Sequence, residues 1–243
     1  MFDERIKRQY ENFRAEMVEI EKYYEKYAVR YVKKTKPQTP RPQRAIGHNG
    51  FHYIQSVLYR SNALFEGFIT SINSENALMA FLVTRAHFEV TGAISYFLKR
   101  LNSYYSKNIS YQQLEMDIKR LWLGTRDSNI IEKNENVPEP ISVMTLIDAA
   151  DDIYRKKSSN KDKIYRNSYD DLCEYCHPNF WGVTMGSHIN KISIARFDKH
   201  PVLDKEHLFI FFDMNITLKT FISNYDEVLD ILSKNEEMPI IYK

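Results

Sequence analysis

Between Asp204 and Lys234 the stripe positions Leu208, Phe211, Phe212, Asn215, Leu218, Phe221, Ile222, Tyr225, Val228, Leu229 and Leu232, all but Asn215 apolar, recur at steps of three and four. Only an α-helix puts such a series on one side of the chain, so the run predicts one closing helix of about eight turns. The same period appears at Phe51, Ile54, Val57, Leu58, Leu64, Phe65, Phe68 and Ile69, broken by the polar Arg60 to Asn62. It returns at Leu78, Phe81, Leu82, Phe88, Gly92, Ser95 and Tyr96, predicting a helix capped by Asn73 or Ser74 that runs to about Tyr105. Ser110 with Gln113 forms a capping box for a shorter helix ending at Gly124. A polar loop follows to Pro140, and Ser142 to Lys157 reads as one more helix. Around Ile189, Ile192, Ile194 and Phe197 the spacing changes, which predicts one or two short strands, as a hairpin, near 186 to 198.

Residues 1 to about 32 carry Ile6, Tyr10, Phe13, Met17, Ile20, Tyr24, Tyr27 and Tyr31, an a/d seam of nearly four heptads. This predicts a long N-terminal helix whose seam closes on its own chain or, as a coiled-coil arm, on a second copy. The run from Lys33 to Arg44 holds five basic residues, three prolines and no acid, and is expected to be extended and exposed. It either touches phosphates or is simply solvated, since no aromatic is interleaved within it for bases to stack on. The fold class is therefore an all-α bundle with a small β-hairpin insertion, divided into a helical arm (1–34), a basic proline-rich linker (35–50) and a bundle domain (51–243).

A net charge of +2, from 34 basic and 32 acidic side chains, gives no global field towards nucleic acid or membrane, so any basic patch must be local. The apolar window from Ala77 to Leu98 contains Arg85, His87 and Glu89, which fits a buried helix better than a membrane span. The opening Met-Phe-Asp-Glu-Arg lacks the charge and hydropathy pattern of a leader, and two cysteines make no disulfide framework; a cytoplasmic location is expected.

Ser168 to Gly182 is the chemically densest stretch. Ser168 as N-cap with Asp171 three residues on, and Pro178 behind His177, predict a helix from about Tyr169 to Cys176 with His177 at its end. Asp170, Glu174 and His177 then share one face, while Tyr169, Leu172, Cys173 and Cys176 form a more apolar one. The string Cys173-Glu-Tyr-Cys176-His177 matches a haem-attachment pattern, but without a leader it reads as two packed thiols. A redox pair would sit at a helix N-terminus, and a zinc site would need a second ligand pair, so no metal or cofactor is expected. Arg85 and Glu89, four apart within an apolar stripe, must bridge each other or serve a site, and Gly92 on the same face leaves room for a helix or a ligand. Convergence of Arg85, Glu89, Glu174 and His177 would make a catalytic pocket. Tyr169 and Asn179 are its candidate binding residues.

The motif Tyr169-x-x-Leu172-x-Glu174-x-x-His177-Pro178-Asn179-x-x-Gly182, with Arg85-Ala-His-Phe-Glu89 before it, resembles helical proteins found among bacterial mobile-element and phage-defence genes. These are similar to HEPN domains, four-helix units whose active members are metal-independent ribonucleases. The resemblance implies an RNA or nucleotide partner, a homodimer, and an Arg and a His acting on the scissile phosphate and the ribose 2′-hydroxyl. In that family the pair lies four to six residues apart. Here Arg166 is too far from His177, so Arg85 would have to meet His177 through space. The expected function is metal-independent RNA cleavage or RNA binding, with a non-catalytic module for a nucleotide or protein partner as the alternative.

Overall fold

The chain begins with three short helices, α1 (Glu4–Gln9), α2 (Arg14–Glu21) and α3 (Tyr23–Ala28), with a 3-10 turn at Glu11–Phe13, where the seam predicts one long helix. The seam residues Ile6, Met17, Ile20 and Tyr27 are fully buried in this chain's own core. Glu21 explains the break. Its carboxylate accepts from the Phe2 N–H at 2.7 Å and lies 3.0 Å from the Lys7 ammonium, whereas a continuous helix would separate residues 7 and 21 by roughly 21 Å. The chain turns at Tyr10 (φ −113°, ψ 45°), whose hydroxyl donates to the Leu203 carbonyl at 3.1 Å.

The computed structural model describes residues 1–36, 45–134, 136–158, 161–189, 195–197 and 203–242. Lys34–Lys36 forms a strand, β1, and the predicted linker loses its last residues to a helix, α4 (Ile46–Asn73); its segment 37–44 lies outside the described residues. α4 passes through Arg60 to Asn62 unbroken, because the buried Ser61 hydroxyl is bonded to Tyr27 and to His87. α5 (Ala77–Tyr105) is capped by Asn76, which accepts from the Met79 N–H, in place of the expected Asn73 or Ser74. α6 (Tyr111–Leu123) has the Ser110–Gln113 capping box. The polar loop contains a short α7 (Ser128–Lys133), and α8 (Val143–Ser158) follows.

α9 (Ile164–Cys176) starts before the expected Ser168 cap, because Asp151 of α8 accepts from the Tyr165 and Arg166 N–H groups at 2.9 and 3.0 Å. Ser168 instead donates to Asp213. A short α10 (Phe180–Thr184) leads into the expected hairpin, β2 (Ser187–Ile189) antiparallel to β3 (Ala195–Phe197); residues 190–194 and 198 lie outside the described residues. The closing helix is α11 (Phe209–Asn235), after a 3-10 turn at Lys205–His207. Beyond it β4 (Ile240–Tyr242) pairs antiparallel with β1, setting Thr35 opposite Ile241.

α5 is the axis of the bundle, flanked by α4, α8 and α11, with α6 and α9 at its ends. By length and composition it could cross a membrane, yet most of its apolar window is buried inside the bundle. Gly92 marks the α5–α8 crossing: a Cβ there would lie 2.8 Å from the Leu146 carbonyl, so the space it leaves is taken by a helix. At the centre, the fully buried His87 ring hydrogen-bonds Ser61 at 2.8 Å and Thr217 at 3.2 Å, and Thr217 bonds Thr91 at 2.7 Å. Burial pushes this imidazole down to about 3, so it is neutral and ties α4, α5 and α11 together without a charge.

Candidate functional site

Helical spacing sets Arg85 and Glu89 one turn apart on α5, and α9 lays Tyr169 across them. The Tyr169 hydroxyl donates to Glu89 Oε1 at 2.9 Å and accepts from Arg85 Nε and Nη2 at 3.3 and 3.2 Å. Arg85 Nε is 3.7 Å from Glu89 Oε1. The two charged side chains remain 25% and 30% exposed, so they sit at the margin of the apolar stripe. Burial raises the Tyr169 phenol; Glu89 adds to the rise and the Arg85 bond opposes it. Glu89 also borders a small cavity of about 200 Å³ whose wall carries Arg60 and Leu121.

The face of α9 that meets Arg85 is the apolar one, with Tyr169, Cys173 and Cys176. Burial raises both thiols, Cys176 to about 11 with Arg85 opposing the rise, so both are protonated at neutral pH and pack as small apolar groups. The expected convergence therefore divides. Arg85, Glu89 and Tyr169 come together; Glu174 and His177 are exposed, and neither hydrogen-bonds nor ion-pairs with Arg85 or Glu89. The reason is azimuthal: at about 100° per residue, Glu174 lies roughly 140° round the helix from Tyr169.

Glu174 and Asn179 instead build a corner between α9 and α10. Asn179 Nδ2 donates to Glu174 Oε2 at 2.8 Å, its backbone N–H donates to the His177 carbonyl at 2.8 Å, and its Oδ1 accepts from the Gly182 N–H, capping α10. A Cβ at Gly182 would fall 1.9 Å from the His177 carbonyl oxygen. The spacing Glu-x-x-His-Pro-Asn-x-x-Gly is thus what this turn requires. His177 ends α9 with extended backbone (φ −89°, ψ 153°), as Pro178 demands, and its ring has no hydrogen-bond partner among the described residues.

Compared with known families, curated proteins and solved structures, the chain matches none.

A second surface was not visible in the sequence. Residues Val32 to Thr35, the His52–Tyr59 stretch of α4 and Trp122 at the end of α6 line an open groove of about 270 Å³. Tyr59 and Trp122 are 49% and 39% exposed. Tyr59 is backed by Tyr31, with ring centroids 4.6 Å apart, and Trp122 meets the edge of His52 at 6.2 Å, a ring itself fixed by Thr35 Oγ1 at 2.9 Å. Lys33, Lys34 and Lys36 are exposed, none ion-pairs with a carboxylate among the described residues, and no acid lines the groove. His52, Gln55, Ser56 and Tyr59 share one face of α4 at i, i+3, i+4 and i+7; only that spacing could have been read locally.

Proposed function

We propose that the protein is an RNA-binding helical module without ribonuclease chemistry of its own. The observation that supports this reading best is the commitment of Arg85. The guanidinium a catalytic site would need for the scissile phosphate is held by Tyr169 and Glu89, while His177, exposed at the end of α9, neither hydrogen-bonds nor ion-pairs with Arg85 or Glu89. Phosphate recognition falls instead to the exposed Lys33, Lys34 and Lys36, none of which ion-pairs with a carboxylate among the described residues, Lys34 lying over the Tyr242 ring at 5.6 Å. Fluorescence anisotropy with a labelled, mixed-sequence single-stranded RNA tests it. Binding should tighten as salt is lowered, and the RNA should be recovered intact in EDTA from both the wild type and His177→Ala. No binding at low salt removes the reading.

Cleavage in EDTA that His177→Ala abolishes would favour the second reading, a metal-independent ribonuclease with His177 as proton-transfer group and Arg85 as phosphate ligand. Its support is the exposed imidazole at the end of α9, which has no hydrogen-bond partner among the described residues. A homodimer belongs to that reading, since the family it resembles shares its catalytic residues between two copies.

A further inference from the structure

We infer that the groove between β1, α4 and α6 is a stacking site for single-stranded nucleic acid, with bases seated on Trp122 and Tyr59 and phosphates against Lys33 and Lys34. The inference rests on the RNA-binding reading and assigns it a place and a mode. In sequence the basic run 33–44 lacks aromatics, which argues for a merely solvated segment. In space the aromatics arrive from elsewhere: Tyr59 from α4 and Trp122 from α6 stand beside Lys33 and Lys34 along one groove. A positively charged track beside exposed ring faces is the arrangement that binds single strands, because every base has a π-face and every linkage a phosphate.

Three features separate this groove from an incidental hollow. Both rings are steadied by other rings, Tyr59 by the tilted ring of Tyr31 at 4.6 Å and Trp122 by an edge contact with His52 at 6.2 Å, so they are partly ordered before a ligand arrives. The lining holds two lysines and no carboxylate, in a chain whose basic and acidic residues otherwise nearly balance. The volume, about 270 Å³, falls just under the ~300–1,000 Å³ of sites that enclose a whole small molecule, and the groove is open along its length. That suits flat bases laid against its rings on a continuing strand. A duplex, whose bases are already stacked on one another, offers no free ring face to it.

The test uses the full chain in a Trp181→Phe background, leaving Trp122 as the one tryptophan. Single-stranded RNA and DNA of one sequence should both quench its emission, while an abasic oligonucleotide, duplex RNA and a glutamate-rich peptide should not. Trp122→Ala and Tyr59→Ala should each weaken binding roughly 5- to 150-fold, the range expected for losing one base–aromatic stack. Trp122→Phe, which keeps a ring, should recover most of the affinity, separating lost stacking from lost folding. Lys33→Gln with Lys34→Gln should flatten the slope of log Kd against log salt by about 1.4. Unquenched Trp122 at saturating RNA, alanine variants that bind like the parent, or equal binding of duplex or acidic peptide would each overturn the groove while leaving RNA binding elsewhere intact. A parent that binds no RNA removes both.

Discussion

Asp213 and His87 are buried ionisable groups whose shifts oppose each other. One Asp213 oxygen accepts from Ser168 at 3.0 Å and the other has no hydrogen-bond partner among the described residues; burial, aided by the charge of Asp171, raises this carboxyl to about 7. Its folded pKa lies above the ordinary aspartate value of 3.8, so the stability it contributes is complete below pH 3.8 and is lost as pH rises towards 7. His87 runs the other way. Depressed from 6.5 to about 3, it contributes stability that is complete above pH 6.5 and is lost as pH falls. Between about pH 4 and 6.5 the two slopes cancel in part. Asp213→Asn should expose the His87 slope, giving urea midpoints that climb with pH across that window, and should exceed the wild type in stability at pH 8. Parallel pH profiles for the two proteins would contradict this. Tyr169→Phe leaves Arg85 and Glu89 without their shared hydroxyl and should cost about 1 kcal/mol in urea unfolding, modest because both charges still reach water. Of this cluster the Arg85–Glu89 pair was legible from its i, i+4 spacing. Tyr169 was singled out for its motif; its actual partners lie 80 and 84 residues away, beyond any local signal.

The long helices were readable because each buries a stripe, and a stripe is a period; α4, α5 and α11 therefore stand close to where the spacing puts them. Their starts were harder, because the groups that cap them need not be adjacent. Asp151 of α8 caps α9 through space, which no inspection of Ser168 could reveal. The N-terminal seam gave Ile6, Tyr10, Met17, Ile20 and Tyr27 as buried, but Phe13, Tyr24 and Tyr31 are only half-buried, Phe2 and Tyr23 are buried outside it, and the fold-back was not in it, since a heptad pattern says which side is apolar and nothing about a turn at Tyr10. Crossing points are an intermediate case. Gly92 predicts a close neighbour, and the structure supplies α8. Gly92→Ala sets a methyl 2.8 Å from the backbone of Leu146, and should lower stability by about 1–3 kcal/mol, seen as a reduced thermal midpoint with unchanged helical circular dichroism at 20 °C. An unaltered midpoint would mean that α8 can slide to make room.

At the scale of the molecule, the segment expected as an arm is part of the core. Phe2, Ile6, Met17, Ile20, Tyr23 and Tyr27 are all buried, and at about 1.5–3 kcal/mol for each such side chain their sum rivals the ~5–15 kcal/mol by which a domain is stable. A chain lacking residues 1–31 should show no cooperative thermal transition and should bind hydrophobic dyes; a sharp transition would establish the remainder as an independent domain. The all-α class was legible because it sums many local periods. The groove was not, because it joins three distant stretches, each unremarkable alone. Its wall also has a history. β1 holds Lys34 in place by pairing with β4, which is translated about two hundred residues later. At ~5–20 residues per second the ribosome delivers that partner roughly 10 to 40 seconds after Lys34 is made, so a nascent chain displays its lysines long before the surface beside them is complete.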